Sequence, residues 1–194
     1  MIVLKIYYEI YNKSQYLYGL AYAQVALRKM PEEKRYMVVM EGYTDVILAH
    51  KHGLETAVAC CSSTITDEQA DIISKKCKKV YLWLDGDEAG MNGMTRSLPK
   101  LLSRGCEVLI VYSPGMDPAE VVLAGYDLTE YIVKHAKPAV QLIMNQHLDQ
   151  YDRVMTQART KVLEALLPLI DSIARPADRI HYRSLLENRL HVRI

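Results

Sequence analysis

Tyr36-Met37-Val38-Val39-Met40-Glu41-Gly42-Tyr43-Thr44-Asp45 is the stretch that decides the fold. Its apolar residues run without alternation between Arg35 and Glu41, the pattern of a strand buried on both faces. Helical spacing follows at once over 44–52 and stops at Gly53, a helix-ending residue. The same unit repeats downstream. A short apolar run at 56–61 precedes Thr66-Asp67-Glu68-Gln69, whose capping residues open a helix reaching about Lys76. A third run at 80–84 leads into a helical stretch over 88–104, closed by Gly105. A fourth run, 107–112, ends in Ser113-Pro114-Gly115. Buried strands alternating with helices predict an α/β fold, a parallel sheet with helices on both faces.

Outward from this block the pattern changes. Leu17, Leu20, Ala21, Ala23 and Leu27 predict a helix over 16–28 that Pro31 stops. From Asp127 onward there is no strand signal. Asp127 to Glu130 has capping-box spacing, and Pro138, Pro168 and Pro176 are expected to punctuate successive amphipathic helices. The expected division is therefore 1–31, 32–125 and an all-helical 126–194, with a boundary near Gly125.

The 194 residues are half hydrophobic, with 24 basic against 23 acidic side chains. That balance excludes a disordered tail, and a net charge of +1 excludes a globally basic nucleic-acid binder. No apolar run is long enough to span a membrane and residues 1–5 are too short for a signal peptide, so a cytoplasmic protein is expected. Cys60, Cys61, Cys77 and Cys106 have no CxxC spacing, and six histidines show no HExxH, so neither motif offers a zinc site. Free thiols in a reducing compartment are expected. The run Lys75-Lys76-Cys77-Lys78-Lys79 is read as a solvated helix C-terminus in preference to a phosphate track. Tyrosine occurs 14 times and phenylalanine not at all, which nothing in the sequence explains.

In open parallel sheets, ligands bind beyond the carboxyl ends of the strands. Glu41 and Asp45 follow the first strand, Asp85 and Asp87 follow the third, and Asp117 follows the fourth and its turn. Carboxylates gathered at one rim repel unless a cation neutralises them, and oxygen donors suit a hard divalent ion. Asp85-Gly86-Asp87 lets two side chains face one ion across a flexible turn, and Gly42 would let a phosphate approach the backbone. Taken singly, Asp117 before Pro118 is best explained as a helix N-cap.

Glu41-Gly42-Tyr43-x-Asp45, Asp85-Gly86-Asp87-x-Ala89-Gly90 and Asp117-Pro118, in this order, resemble the Toprim domain. "VVMEGYTDV" and "LWLDGDEAG" are similar to the bacterial DnaG-type DNA primases. Lys13-Ser14-x-x-x-Tyr18-Gly19-Leu20 resembles the segment entering that domain, and the helices after Gly125 resemble the subdomain that follows it. The resemblance covers nearly the whole chain. It implies synthesis of short RNA primers from NTPs on a single-stranded DNA template during replication, and a replicative helicase as partner through a domain absent here. It implies Glu41 as general base or metal ligand, Asp85, Asp87 and Asp117 as ligands of Mg²⁺ or Mn²⁺, and Asp45 as a supporting acid. Lys13, with Gly42, would meet a phosphate of template or nucleotide. Two departures stand out: Ser62-Ser63 replaces a Gly-Thr pair, and Ala119, beside Glu120, stands where many primases have a second Asp. The alternatives are strand cleavage of the topoisomerase or Toprim-nuclease kind, and a fragment that binds metal and nucleotide without turnover. The topoisomerase pattern places Glu where this chain has Ala89.

Overall fold

The computed structural model describes residues 12–84, 88–113, 116–151 and 158–193. After a short 3-10 turn at Lys13–Gln15, the elements are α1 (Leu20–Lys29), β1 (Tyr36–Met40), α2 (Tyr43–Lys51), β2 (Ala57–Ala59) and α3 (Asp67–Ser74). Then come β3 (Lys79–Trp83), α4 (Glu88–Leu102), β4 (Glu107–Val111), α5 (Pro118–Leu123) and α6 (Leu128–His135). The chain continues through β5 (Ala136–Pro138), α7 (Ala139–Tyr151), α8 (Ala158–Asp171) and α9 (Pro176–Leu190).

The strands form one sheet in the order β2-β1-β3-β4-β5. β1 pairs in parallel with β2 and β3, and β3 with β4. Alternation along each strand divides the apolar side chains between two cores. Met37, Val39, Val80, Leu82, Val108 and Ile110 pack on one side, in a cluster that continues through Leu98 and Leu101 into Ile143, Leu166, Ile170, Leu186 and Leu190. Val38, Met40, Trp83 and Val111 pack on the other with Val46, Val121, Leu128 and Ile132. Helices on both faces are what unalternated strands require.

Three expectations need correction. Residues 136–138 form a strand after all: β5 pairs antiparallel with β4, Val111 opposite Ala136 and Leu109 opposite Pro138. Three residues ending in proline give no readable period, and tertiary pairing decides them. The first helix starts at Leu20 and not at 16, because Tyr18 exchanges two backbone hydrogen bonds with Ala59, at 2.9 and 3.0 Å. Gly19 then turns at φ 79° into the helix. Pro168 does not break its helix: α8 runs through it to Asp171, carried by the buried Leu166, Leu169 and Ile170.

Cys60 and Cys77 are buried, and burial pushes their thiols up to about 11 and about 12. The folded chain thus holds these protons after the unfolded chain, with thiols near 9.0, has released them. Stability from this source is full below about pH 9 and is lost as pH rises toward 11–12. Each tenfold gain in proton affinity on folding contributes at most about 1.4 kcal/mol. Urea titrations between pH 8 and 10.5 should show a falling midpoint, and Cys60→Ala should reduce the slope.

Candidate functional site

The chain passes from β1 to β2 on one side and from β2 to β3 on the other, so the carboxyl end of β1 is the switch point of the sheet. Met40 lies level with both Ala59 and Trp83. Glu41, Cys60 and Leu84 therefore leave the sheet at one rim. Asp85 and Asp87, which follow Leu84, lie outside the described residues.

Glu41 is held by its backbone, its carbonyl accepting the Cys61 amide at 3.0 Å. Its charge adds to burial in raising the Cys60 thiol. Lys13 comes to the same place from far along the chain: its Nζ donates to the Cys61 carbonyl at 3.3 Å. Lys13 opposes the rise that burial imposes on the Cys61 thiol. Cys61 itself takes φ 54°, a left-handed conformation unusual for a side-chain-bearing residue. That kink turns the chain off the end of β2 between Glu41 and Lys13.

Asp45 is 8% exposed in the first turn of α2. Its Oδ2 accepts the Gly42 amide at 3.1 Å. A Cβ at Gly42 would lie 2.7 Å from that oxygen, so the room glycine leaves is taken up by Asp45. Asp117 is the N-cap of α5, its Oδ1 accepting the Glu120 amide at 2.7 Å while Glu120 Oε2 accepts the Asp117 amide at 2.9 Å. Glu120 is therefore the reciprocal half of a capping box. α5 packs on α2, which sets Asp117 and Asp45 on neighbouring helix starts. Its approach loop is anchored by the buried Trp83, whose Nε1 donates to Ser113 Oγ at 3.0 Å; that hydroxyl donates to the Met116 carbonyl at 2.9 Å.

Thus the structure brings Glu41, Gly42, Asp45 and Lys13 to the switch point, with Asp117 on the helix packed against α2. Among the described residues no three His, Cys, Asp or Glu side chains form a group that could hold a metal. The donor chemistry nonetheless suits a hard cation, since Glu41, Asp45 and Asp117 all carry carboxylate oxygens.

Motif reading missed the residues that position this rim. Gln69 is fully buried, and its Nε2 lies 2.8, 3.0 and 3.2 Å from the carbonyls of Tyr16, Cys60 and Lys13. Its Oε1 accepts the Thr66 amide at 3.1 Å, and Thr66 Oγ1 donates to the Ser14 carbonyl at 2.6 Å. The capping box was visible in the sequence, whereas its second task, tying Lys13 to the end of β2, was not. Gln69→Leu strands the buried Cys60 carbonyl and weakens the part-buried ties to Tyr16 and Lys13, and should cost about 3 kcal/mol, at roughly 1–3 kcal/mol for a buried group left unsatisfied. Thermal melting checks it. The basic run lies elsewhere: Lys79 sits at the amino end of β3, opposite Tyr36 and Glu107, away from the rim.

Residues 38–122 match the family described as Toprim-like. The chain is 31% identical over 155 residues to the DNA primase of Aquifex aeolicus (strain VF5), covering 80% of this chain and 28% of that protein. It is 28% identical over 189 residues to the DNA primase of Escherichia coli (strain K12), covering 95% and 32%. A DNA primase domain from Pseudomonas aeruginosa superimposes with a TM-score of 0.82 at 26% identity, over 94% of this chain and 57% of that one. A DnaG primase catalytic domain bound to ssDNA gives 0.78 at 27% identity, over 94% and 58%. Over residues 38–122 the fold is Toprim-like. More narrowly, the chain is similar over most of its length to the bacterial DnaG-type primases. It spans about a third or less of the length of these curated relatives. Similarity to Toprim-like and primase proteins points to use of a divalent metal. Among the described residues no helix is long and apolar enough to cross a membrane.

Proposed function

We propose that this chain contributes the metal- and phosphate-handling part of a primase, joining NTPs into short RNA primers on a single-stranded DNA template. The observation that carries the proposal is the likeness to primase catalytic cores over 94% of the chain, with Glu41 at the switch point of the sheet. Glu41, Asp85, Asp87 and Asp117 would hold Mg²⁺ or Mn²⁺, with Asp45 supporting Gly42 behind them. A divalent ion there supplies charge neutralisation for transferring phosphates. Glu41 presents a carboxylate where the strand ends, Lys13 offers a cation to a phosphate, and Asp45 fixes the start of α2. Template, NTPs and the growing primer are the partners in this proposal, with a replicative helicase engaged through another part of the protein, in the cytoplasm at the nucleoid. The division into 1–31, 32–125 and 126–194 belongs to the same proposal.

Labelled NTPs on a single-stranded template, with Mg²⁺ or Mn²⁺, should give short RNA products when this chain is assayed with the rest of a primase polymerase domain. Nicking of supercoiled plasmid with no RNA product would overturn the proposal in favour of cleavage. Metal and nucleotide binding without product would leave the chain a binding fragment and overturn the catalytic part.

A further inference from the structure

Two strands away from β1, at the carboxyl end of β4, lies a cavity of about 450 Å³. Tyr112, Met116, Tyr131, Lys134, His135 and Lys137 line it, a wall containing aromatic rings and two lysines and no carboxylate. The rings are ordered. Trp83 stacks on Tyr131 at 5.4 Å and 5°, and Tyr131 stacks on His135 at 4.0 Å and 27°. This column starts in the core and stops at the cavity. His135 Nδ1 donates to the Tyr131 carbonyl at 2.9 Å, which orients the imidazole and leaves Nε2 without a partner among the described residues. Tyr112, 40% exposed, is joined to His135 through the backbone, its amide donating to the His135 carbonyl at 3.3 Å. Lys134 and Lys137 are exposed and enter no ion pair among the described residues.

We propose that this cavity binds a nucleotide unit, its base continuing the ring column beside Tyr112 and His135 and its phosphate meeting Lys134 and Lys137. Flat aromatic ligands gain from stacking on tyrosine and histidine, and the gain is indifferent to base identity because every base has a π face. Lysines paired with rings and free of competing carboxylates select an anion attached to such a ligand, which excludes a simple apolar molecule. The cavity size falls in the ordinary range for a small-molecule site. The inference stands on this cavity alone and needs neither the acidic rim nor a metal ion.

The source of the nucleotide is either a free nucleotide or a strand passing the sheet, and one titration separates them. The full chain is titrated in EDTA, so that no ion bridges ligand to the Glu41 rim, with adenosine, adenosine 5′-monophosphate and a 5′-phosphorylated tetra-deoxyadenylate. Calorimetry reads the affinity, and Trp83, the chain's one tryptophan, reports stacking by its fluorescence. The monophosphate should bind roughly tenfold more tightly than adenosine, the advantage of about one charged contact. Lys134→Ala/Lys137→Ala should erase that advantage, and Tyr112→Ala should weaken both ligands roughly tenfold by removing one stacking surface. These exposed positions leave the melting curve unchanged. Tetranucleotide binding tighter than the monophosphate assigns the site to a strand, and equal binding assigns it to a free nucleotide. No saturable response below about 10 mM overturns the inference, as would equal affinity for adenosine and its monophosphate. Indifference to all the substitutions, or a glutamate-rich peptide binding as tightly as the monophosphate, overturns it as well.

Discussion

Replacing Glu41 by glutamine is expected to remove divalent-metal binding and nucleotidyl transfer while leaving the melting temperature essentially unchanged. The substitution keeps size and the backbone carbonyl that accepts the Cys61 amide, so the exit of β1 stays in place. It removes the charge. A site that gathers carboxylates for a hard cation depends on that charge, and even residues behind a metal ligand are typically worth 10–100-fold in affinity. The loss for Glu41→Gln should therefore exceed about a hundredfold, and Asp85→Ala should match it. Mn²⁺ titration followed by electron paramagnetic resonance measures the affinity directly, on variants shown to be folded by circular dichroism. Metal binding unchanged in both folded variants would remove the acidic rim from the proposed function and leave a Toprim fold without its ion.

The second large effect is structural. Gly93→Ala should destabilise the protein by about 3 kcal/mol even though alanine is the better helix former by about 1 kcal/mol. Gly93 lies in α4 where the loop after β2 crosses it. A Cβ there would lie 1.8 Å from the Ser63 carbonyl oxygen and 2.7 Å from its carbon, both backbone atoms. The loop cannot step aside cheaply. The Ile65 amide donates to Ser97 Oγ at 2.9 Å, Ser97 Oγ donates to the Gly93 carbonyl at 2.8 Å, and Lys100 Nζ reaches the Ile65 carbonyl at 2.7 Å. Displacing Ser63 strains the two bonds that tie Ile65 to the helix, the buried one to Ser97 and the part-buried one to Lys100, each costing about 1–3 kcal/mol when a partner is left unsatisfied. For a chain of this size 1 kcal/mol moves the melting temperature by about 2–4 °C, so a drop near 10 °C is expected. Asn92→Ala, one residue away and exposed, serves as the control and should be neutral or slightly stabilising.

Which of these features the sequence discloses follows from the range of the interactions. The buried strands were readable because burial on both faces leaves an unalternated apolar run, and β1 begins and ends where Arg35 and Glu41 place it. Capping residues at Thr66, Asp117 and Asp127 were equally readable, since an N-cap acts within three residues. Glu41 and Asp45 could be placed at the head of α2 from spacing alone. By contrast, β5 exists because β4 offers it an edge, and Tyr18 leaves its helix because Ala59 lies opposite. Gln69 reads as the third residue after a threonine, and only the folded chain reveals the carbonyls that converge on its amide. The space at Gly42 was read as room for a phosphate, and the fold fills it with Asp45. Long-range pairing leaves no local period, so each of these was invisible until the chain was closed.

The bridge between Tyr18 and Ala59 has a consequence for association. Ala59 belongs to the outermost strand on one side, and Tyr18 takes up both its amide and its carbonyl. On the opposite side β5 is three residues long and ends in Pro138, which has no amide hydrogen to offer. Both borders of the sheet are thereby blunted against strand recruitment, the usual first step of edge-to-edge aggregation. A second molecule seeking to extend the sheet beyond β2 would first have to displace Tyr18.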